Sequence, residues 1–291
     1  MASAELRIIN RRIKSVKSTK KITRAMELIA SSRIVKAQQR MESSSSYIEV
    51  LAEIVQDLVN LGSIGEESVQ QDSNRVALVV ITSDRGLAGA YNSNILKLAE
   101  QKHQELLSNN KEVDLYTIGK KASGYFSYRN IVPASSYEGI TDEPKFENAL
   151  DVMNSIIESY SNGNLSEVHI LYTKYVSALT QNAIAKQLLP LGKKDNSEGE
   201  VEEVTGGYSF EPSAEEVLQE LIPKYMNATL FGALLNSSTS EHASRMRAMK
   251  AATENAEDLV KVLTRQSNQA RQAEITTEIS EIVGGAEALA D

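Results

Sequence analysis

One stretch of the sequence resembles a phosphate-binding turn. An apolar run at 76–82 ends in Thr82 and leads into Ser83, Asp84, Arg85, Gly86, Leu87, Ala88 and Gly89. A dinucleotide fingerprint needs three glycines at set spacing so that backbone amides can approach a pyrophosphate, and here Gly86 and Gly89 supply two. The reading is a structural turn. Gly119 and Lys120 also fall short of a P-loop, because Asp114 stands where its first glycine is needed and Lys121 where Ser or Thr would hold magnesium. His103, His169 and His242 lack metal-ligand spacing and have no Cys to complete a zinc site, so they read as solvated or core histidines. Acid pairs such as Glu202 with Glu203, or Glu215 with Glu216, have no nucleophile beside them. No catalytic residue, cofactor site or metal site is expected.

The charge pattern is sharper. Residues 1–41 carry 11 basic side chains (Arg7, Arg11, Arg12, Lys14, Lys17, Lys20, Lys21, Arg24, Arg33, Lys36 and Arg40) against Glu5 and Glu27. A solvated helix face ordinarily mixes both signs, so this run suits an acidic protein partner or a nucleic-acid backbone. Residues 274–291 have five acids and no base. Their small and apolar residues, with a polar periphery, suit a helix sitting inside another protein's apolar ring.

These side chains must be carried by helices at both ends of the chain. Gly and Pro oppose helix by roughly 1 and 3 kcal/mol, and none occurs over 1–61 or 233–283. Leu6, Ile9, Ile13 and Val16 alternate spacings of three and four, the seam of a coiled coil. The apolar register then shifts through Ile22, Met26 and Ile29, then Ile34, Ala37 and Met41, and resumes through Ile48, Leu51, Val55, Leu58 and Leu61, which predicts stutters in one long helix. About 55 helical residues span roughly 80 Å, too long for one compact domain to cover, so a partner helix is required. Met246, Met249, Ala256, Val260, Leu263 and Ala270, followed by Ile275, Ile279, Ile282, Ala286 and Leu289, predict that partner. Pro212 suits a first helical turn, and Pro223 predicts a kink or restart before Tyr225. The simplest arrangement is an antiparallel pair projecting as a rod.

Between the helices, short β-rich runs alternate with helical ones, the pattern of βαβ units. Strands are expected at 76–82, 112–118 and 167–173, helices at 94–107 and 147–160, an edge strand at 183–191, and an exposed, mobile loop at 192–207. The predicted fold is α/β: a long antiparallel coiled coil of the N- and C-terminal helices plus a central Rossmann-like α/β domain. Its expected segments are an N-terminal coiled-coil helix over 1–61, the α/β domain over 62–207 and a C-terminal coiled-coil helix over 208–291.

Composition excludes several classes. With 41% hydrophobic and 24% charged residues the chain is not a disordered tail, and with no Cys it has no disulfide framework, thiolate nucleophile or iron–sulfur cluster. A formal net charge of -8 and the lack of interleaved aromatics oppose a nucleic-acid adaptor. A small α/β enzyme with a coiled-coil oligomerisation arm would need a nucleophile, metal cluster or complete phosphate loop. No apolar stretch reaches the roughly 20 residues of a membrane span, and the first residues lack the core of a secretion signal, so an intracellular protein is expected.

Four motifs in order carry a family resemblance that covers nearly the whole chain. They are IKSVKSTKKITRAM at 13–26, SDRGLAGAYN at 83–92, SEHASRMRAMKAAT at 240–253 and NQARQAEITTEISEIV at 268–283. The sequence resembles the γ subunits of F-type ATP synthases, the central rotor shaft. That resemblance implies a coiled coil turning inside a ring of alternating α and β subunits, with the α/β domain at the foot beside the ε subunit and the membrane c-ring. Proton flow would turn the shaft, whose asymmetric surface drives the β-subunit catalytic sites through ATP synthesis or hydrolysis while this chain itself catalyses nothing. It implies partner contacts for Met26 near the β-subunit lever, Arg85 with a β subunit, and Arg271 and Gln272 with a β-subunit catch loop. Tyr208 and Glu211, in YSFEP at 208–212, would lie near the c-ring or ε interface. Ala88 and Ala90 stand where the family often has Cys and Gly, and the cysteine-bearing insertion of the chloroplast type is absent. The expected location is the cytoplasmic face of a bacterial plasma membrane, reached only through the c-ring.

Overall fold

A computed structural model describes residues 2–60, 73–191 and 214–288. Helix α1 spans Ala2–Asn60 and α5 spans Ala214–Ala288. Between them run β1 (Arg75–Ile81), α2 (Tyr91–Ser108), β2 (Glu112–Ile118), α3 (Lys120–Tyr128), β3 (Ser135–Tyr137), α4 (Phe146–Ser161), β4 (Glu167–Tyr175) and β5 (Gln181–Leu189). The chain divides into two compact units, Met1–Ser31 with Arg245–Asp291, and Ser32–Ser244.

The larger unit is built on one five-stranded sheet in the order β3-β2-β1-β4-β5. β1 pairs in parallel with β2 on one side and β4 on the other, so Val79 faces both Tyr116 and Ile170 in register. Helices cover both faces, which is why β1 reads as a continuous apolar run, RVALVVI, rather than an alternation. Val76, Leu78 and Val80 pack with Ile95, Leu96 and Ala99 of α2 and Phe126 of α3. Ala77, Val79 and Ile81 pack on the opposite face with Val152, Met153 and Ile156 of α4, Leu51, Val55 and Leu58 of α1, and Met226, Leu230 and Leu234 of α5. β5 closes the edge in antiparallel sense.

The smaller unit is an antiparallel helix pair. Ser267 Oγ lies 3.1 Å from Asn10 Oδ1, Glu257 Oε2 3.2 Å from Lys20 Nζ, and the Thr253 and Thr23 hydroxyls 2.8 Å apart. Its seam corrects the sequence reading. Ile22 and Ile29 are 58% and 56% exposed, and the inward positions after Val16 are Lys20, Thr23, Glu27 and Ala30. These continue the alternation of three and four without a stutter, and so do Ile34, Ala37, Met41, Ser44, Ile48, Leu51, Val55 and Leu58 in the larger unit. The aliphatic stems of Lys20 and Glu27 line the seam while their charges pair outward, Lys20 with Glu257 and Glu27 with Arg24 at 2.8 Å. On α5 the matching positions are Met246, Met249, Thr253, Ala256, Val260, Leu263, Ser267, Ala270 and Glu274. Beyond them Ile275, Ile279 and Ile282 are exposed.

Pro223 does not restart the helix: α5 is helical on both sides of it. Leu218, Tyr225 and Met226 are all buried in the sheet core, and that packing holds the helix across the hydrogen bond that proline cannot donate. α3 and β3 are elements that the sequence did not reveal, and α2 begins at Tyr91, three residues earlier than expected. The loop expected at 192–207 lies outside the described residues.

Two substitutions test this packing. Gly119 has φ +95°, and a Cβ there would sit 2.5 Å from the Thr82 carbonyl oxygen. Gly119→Ala should therefore lower unfolding stability by about 2–4 kcal/mol, read by chemical denaturation. At the seam, Thr253→Val should cost about 1 kcal/mol, and adding Thr23→Val should cost less than the two singles summed, because either substitution alone already removes the hydrogen bond the two hydroxyls share.

Candidate functional site

The turn after β1 is structural, and Asp84 is the reason. Its carboxylate accepts hydrogen bonds from the Lys120 backbone N–H at 3.1 Å, the Gly139 N–H at 3.0 Å and the Thr141 hydroxyl at 3.0 Å. The amino end of α3, where a phosphate would gain from free amides and the helix dipole, is thus already served by a side chain of this chain. Among the described residues no group of His, Asp and Glu could hold a metal ion. The three histidines are buried, with His169 Nε2 2.8 Å from Glu167 Oε2.

The larger unit carries a charged knot centred on Asp142, in the loop between β3 and α4. Arg33 of α1 donates to Asp142 Oδ2, and Arg85 Nη1 lies 3.7 Å from the same oxygen. From α5, His242 Nε2 lies 3.7 Å from Oδ1, and Ser238 Oγ donates to the Asp142 carbonyl at 3.1 Å. Next to it, Arg40 of α1 pairs with Glu143. A cavity of about 230 Å³ opens here, lined by Arg33, Lys36, Arg40, Asp142, Glu143 and His242. Burial pushes the Asp142 carboxyl up, but the Arg33 hydrogen bond and charge, with His242 and Arg85, outweigh it and hold the group below its usual range.

The residues singled out by resemblance fall into two groups. Arg85 sits on the exposed turn of the larger unit, its backbone carbonyl accepting from Ser83 Oγ. In the helix pair, Met26 is half-buried at the seam margin, while Arg271 and Gln272 are exposed on α5. Arg271 lies four residues past Ser267, the partner of Asn10, so it is roughly 30 Å along the helices from the level of Met26. The structure does not bring those two together. Arg11, Arg12, Lys14, Lys17 and Lys21 are exposed along α1, forming the basic face read from the sequence. Tyr208 and Glu211 lie outside the described residues. Sequence reasoning missed Asp142 altogether, since its partners lie 109 and 100 residues away and no local spacing signals them.

Because Asp142 is more acidic folded than unfolded, its contribution to stability is complete above its ordinary value of 3.8 and is lost as pH falls through the lower folded value. Glu167, where burial is outweighed by hydrogen bonds from His169 and Lys111, behaves the same way. Unfolding midpoints measured from pH 7 to pH 2.5 should fall at the acid end. Asp142→Asn should flatten that fall and cost about 1 kcal/mol at pH 7, the solvent reaching the pair keeping the cost small.

Comparison with known proteins matches this architecture throughout. A family model described as ATP synthase matches residues 5–289. The ATP synthase gamma chain of Parafrankia sp. is 46% identical over 99% of this chain and 99% of its own length, and that of Streptomyces coelicolor 45% identical over 99% and 97%. Among solved structures, a chain of the Euglena gracilis mitochondrial ATP synthase complex of OSCP, F1 and c-ring shares the fold with a TM-score of 0.69 at 17% identity, covering 99% of this chain and 95% of that one. A chain of the Tetrahymena thermophila mitochondrial central stalk and c-ring shares it with a TM-score of 0.57 at 24% identity, covering 79% and 99%. A full-length match at this identity, carried on two long helices flanking a doubly covered sheet, places the chain in the ATP synthase gamma chain family.

Proposed function

We propose that this chain is the central rotor of an F-type ATP synthase. It couples proton flow through a membrane c-ring to ATP synthesis or hydrolysis at β-subunit sites by turning inside the ring of alternating α and β subunits. The observation that carries the reading is the 46% identity to a gamma chain over essentially the whole of both sequences. The physical features agree with the role. Torque requires a stiff element, and helices with uninterrupted heptad seams and no Gly or Pro over 1–61 and 233–283 supply one. The exposed bases of α1 suit acidic β-subunit levers, because long-range attraction tolerates a turning partner better than close-fitting hydrogen bonds do. The exposed Ile275, Ile279 and Ile282 suit an apolar bearing in the surrounding ring.

In this reading the chain is non-catalytic and binds no cofactor. The segments 1–61 and 208–291 form the shaft, and 62–207 forms the foot beside the ε subunit and c-ring. Arg85 and Met26 meet β subunits, Arg271 and Gln272 meet a catch loop, and Tyr208 and Glu211 lie by the foot. Membrane attachment runs through the c-ring, at the cytoplasmic face of a bacterial plasma membrane. Among the described residues no helix is long and apolar enough to cross a membrane.

The test is reconstitution of the complex with and without this chain. ATP-driven proton pumping should require it, and coupled pumping in its absence would end the rotor reading. Replacing Arg271 and Gln272 together by Ala should lower coupling or assembly while the circular dichroism of the isolated chain stays unchanged, since both side chains are exposed.

A further inference from the structure

The end of a doubly wound sheet at which the parallel strands finish is where such domains ordinarily bind small ligands. In this chain α5 occupies it. The Tyr175 N–H at the end of β4 donates to Asn236 Oδ1 at 3.2 Å, and Ser240 Oγ donates to the Thr173 carbonyl at 3.2 Å. At the start of β5, Gln181 Oε1 accepts from Ser244 Oγ at 3.1 Å. Residues 237–244 are buried on every side of the helix although seven of the eight are Ser, Thr, Glu or His. A buried helix segment of this polarity is costly unless its groups are held by specific bonds.

The Asp142 loop completes the fastening. Asp84, at the end of β1, pins the loop through Gly139 and Thr141. One residue further on, Asp142 takes Arg33 from α1 through its carboxylate and Ser238 from α5 through its carbonyl, with His242 alongside. Both long helices thus converge on one residue that is itself tied to the sheet. Apolar packing resists separation but is non-directional, so it yields to sliding. A charge-assisted hydrogen bond from a guanidinium to a carboxylate and hydroxyl bonds to fixed carbonyls have defined directions and are lost on small displacement.

We propose that Asp142, with Arg33 and Ser238, is the torque joint of the rotor: the point at which turning of the sheet domain is passed to both helices of the shaft. This rests on the rotor reading above. Asp142 is a positioning residue that acts through Arg33 and Ser238. Its loss should matter in proportion to load, because an unloaded shaft turns whether or not its joint is stiff.

The experiment uses the assembled enzyme in membrane vesicles carrying Asp142→Ala. ATP hydrolysis with the proton gradient collapsed by an uncoupler should stay within about twofold of wild type. ATP synthesis against an imposed phosphorylation potential should fall by about fivefold, the factor that loss of roughly 1 kcal/mol gives, with the deficit growing as the opposing potential rises. Asp142→Glu should restore most of it, whereas a merely structural defect would lower both rates together at every load. Should Asp142→Ala fail to assemble, Arg33→Lys and Ser238→Ala are read in the same way. Arg33→Lys keeps the charge and removes the planar guanidinium donor. Equal synthesis and hydrolysis ratios to wild type at all loads overturn the joint. Failure of the wild-type chain to support any coupled synthesis overturns the rotor reading instead, so the two are separable.

Discussion

A long, strongly charged helix with one narrow apolar stripe cannot exist alone, and the burial of that stripe governs the architecture. In the helix pair the stripe is only two positions wide per heptad, and Leu6, Ile9, Ile13 and Val16 remain partly accessible. In the sheet unit the same helix widens its apolar face, so that Leu51, Val55, Leu58 and Val59 are almost completely buried. Polar residues enter the seam only where their charges or hydroxyls have partners, as Lys20 does with Glu257 and Thr23 with Thr253. Each such pair contributes little by itself in a solvated seam. Together they fix which residues of α1 lie level with which residues of α5.

The sheet unit solves the opposite problem. Its central strand is apolar on both faces and its core is ordinary, while its polar rim is unusual. The strand ends that other layered domains leave open are closed here by a serine- and threonine-rich stretch of α5 and by the Asp142 loop. Specific geometry there replaces hydrophobic area as the holding force. The exposed features, by contrast, are simple: bases on α1, isoleucines near the end of α5, and Arg85 on a turn.

Much of this was legible in the sequence. β2 falls on residues 112–118 as expected, because Gly119 punctuates its end and both faces are covered over its last four residues. α3 escaped because KKASGYFSY is short and carries Gly124, and β3 because three residues of Ser and Tyr give no period to detect. The predicted stutter does not occur, for a plain reason: Ile22 and Ile29 are aliphatic yet point outward. Counting by fours and threes from Val16 lands instead on Lys20 and Thr23, and that count was the available signal. Of the candidate site, Arg85 and the basic face could be read locally, but Asp142 could not. An ion pair between residues 33 and 142 leaves no trace in any window of the sequence.

The carboxylate of Asp84 at the amino end of α3 has one more meaning. It is an anion of fixed concentration, supplied by the chain and held at three donors. Free phosphate or nucleotide approaching that end of the sheet meets a site already neutralised and a like charge. The amino end of α3 is in this way closed to free anions by a charge that the chain carries itself.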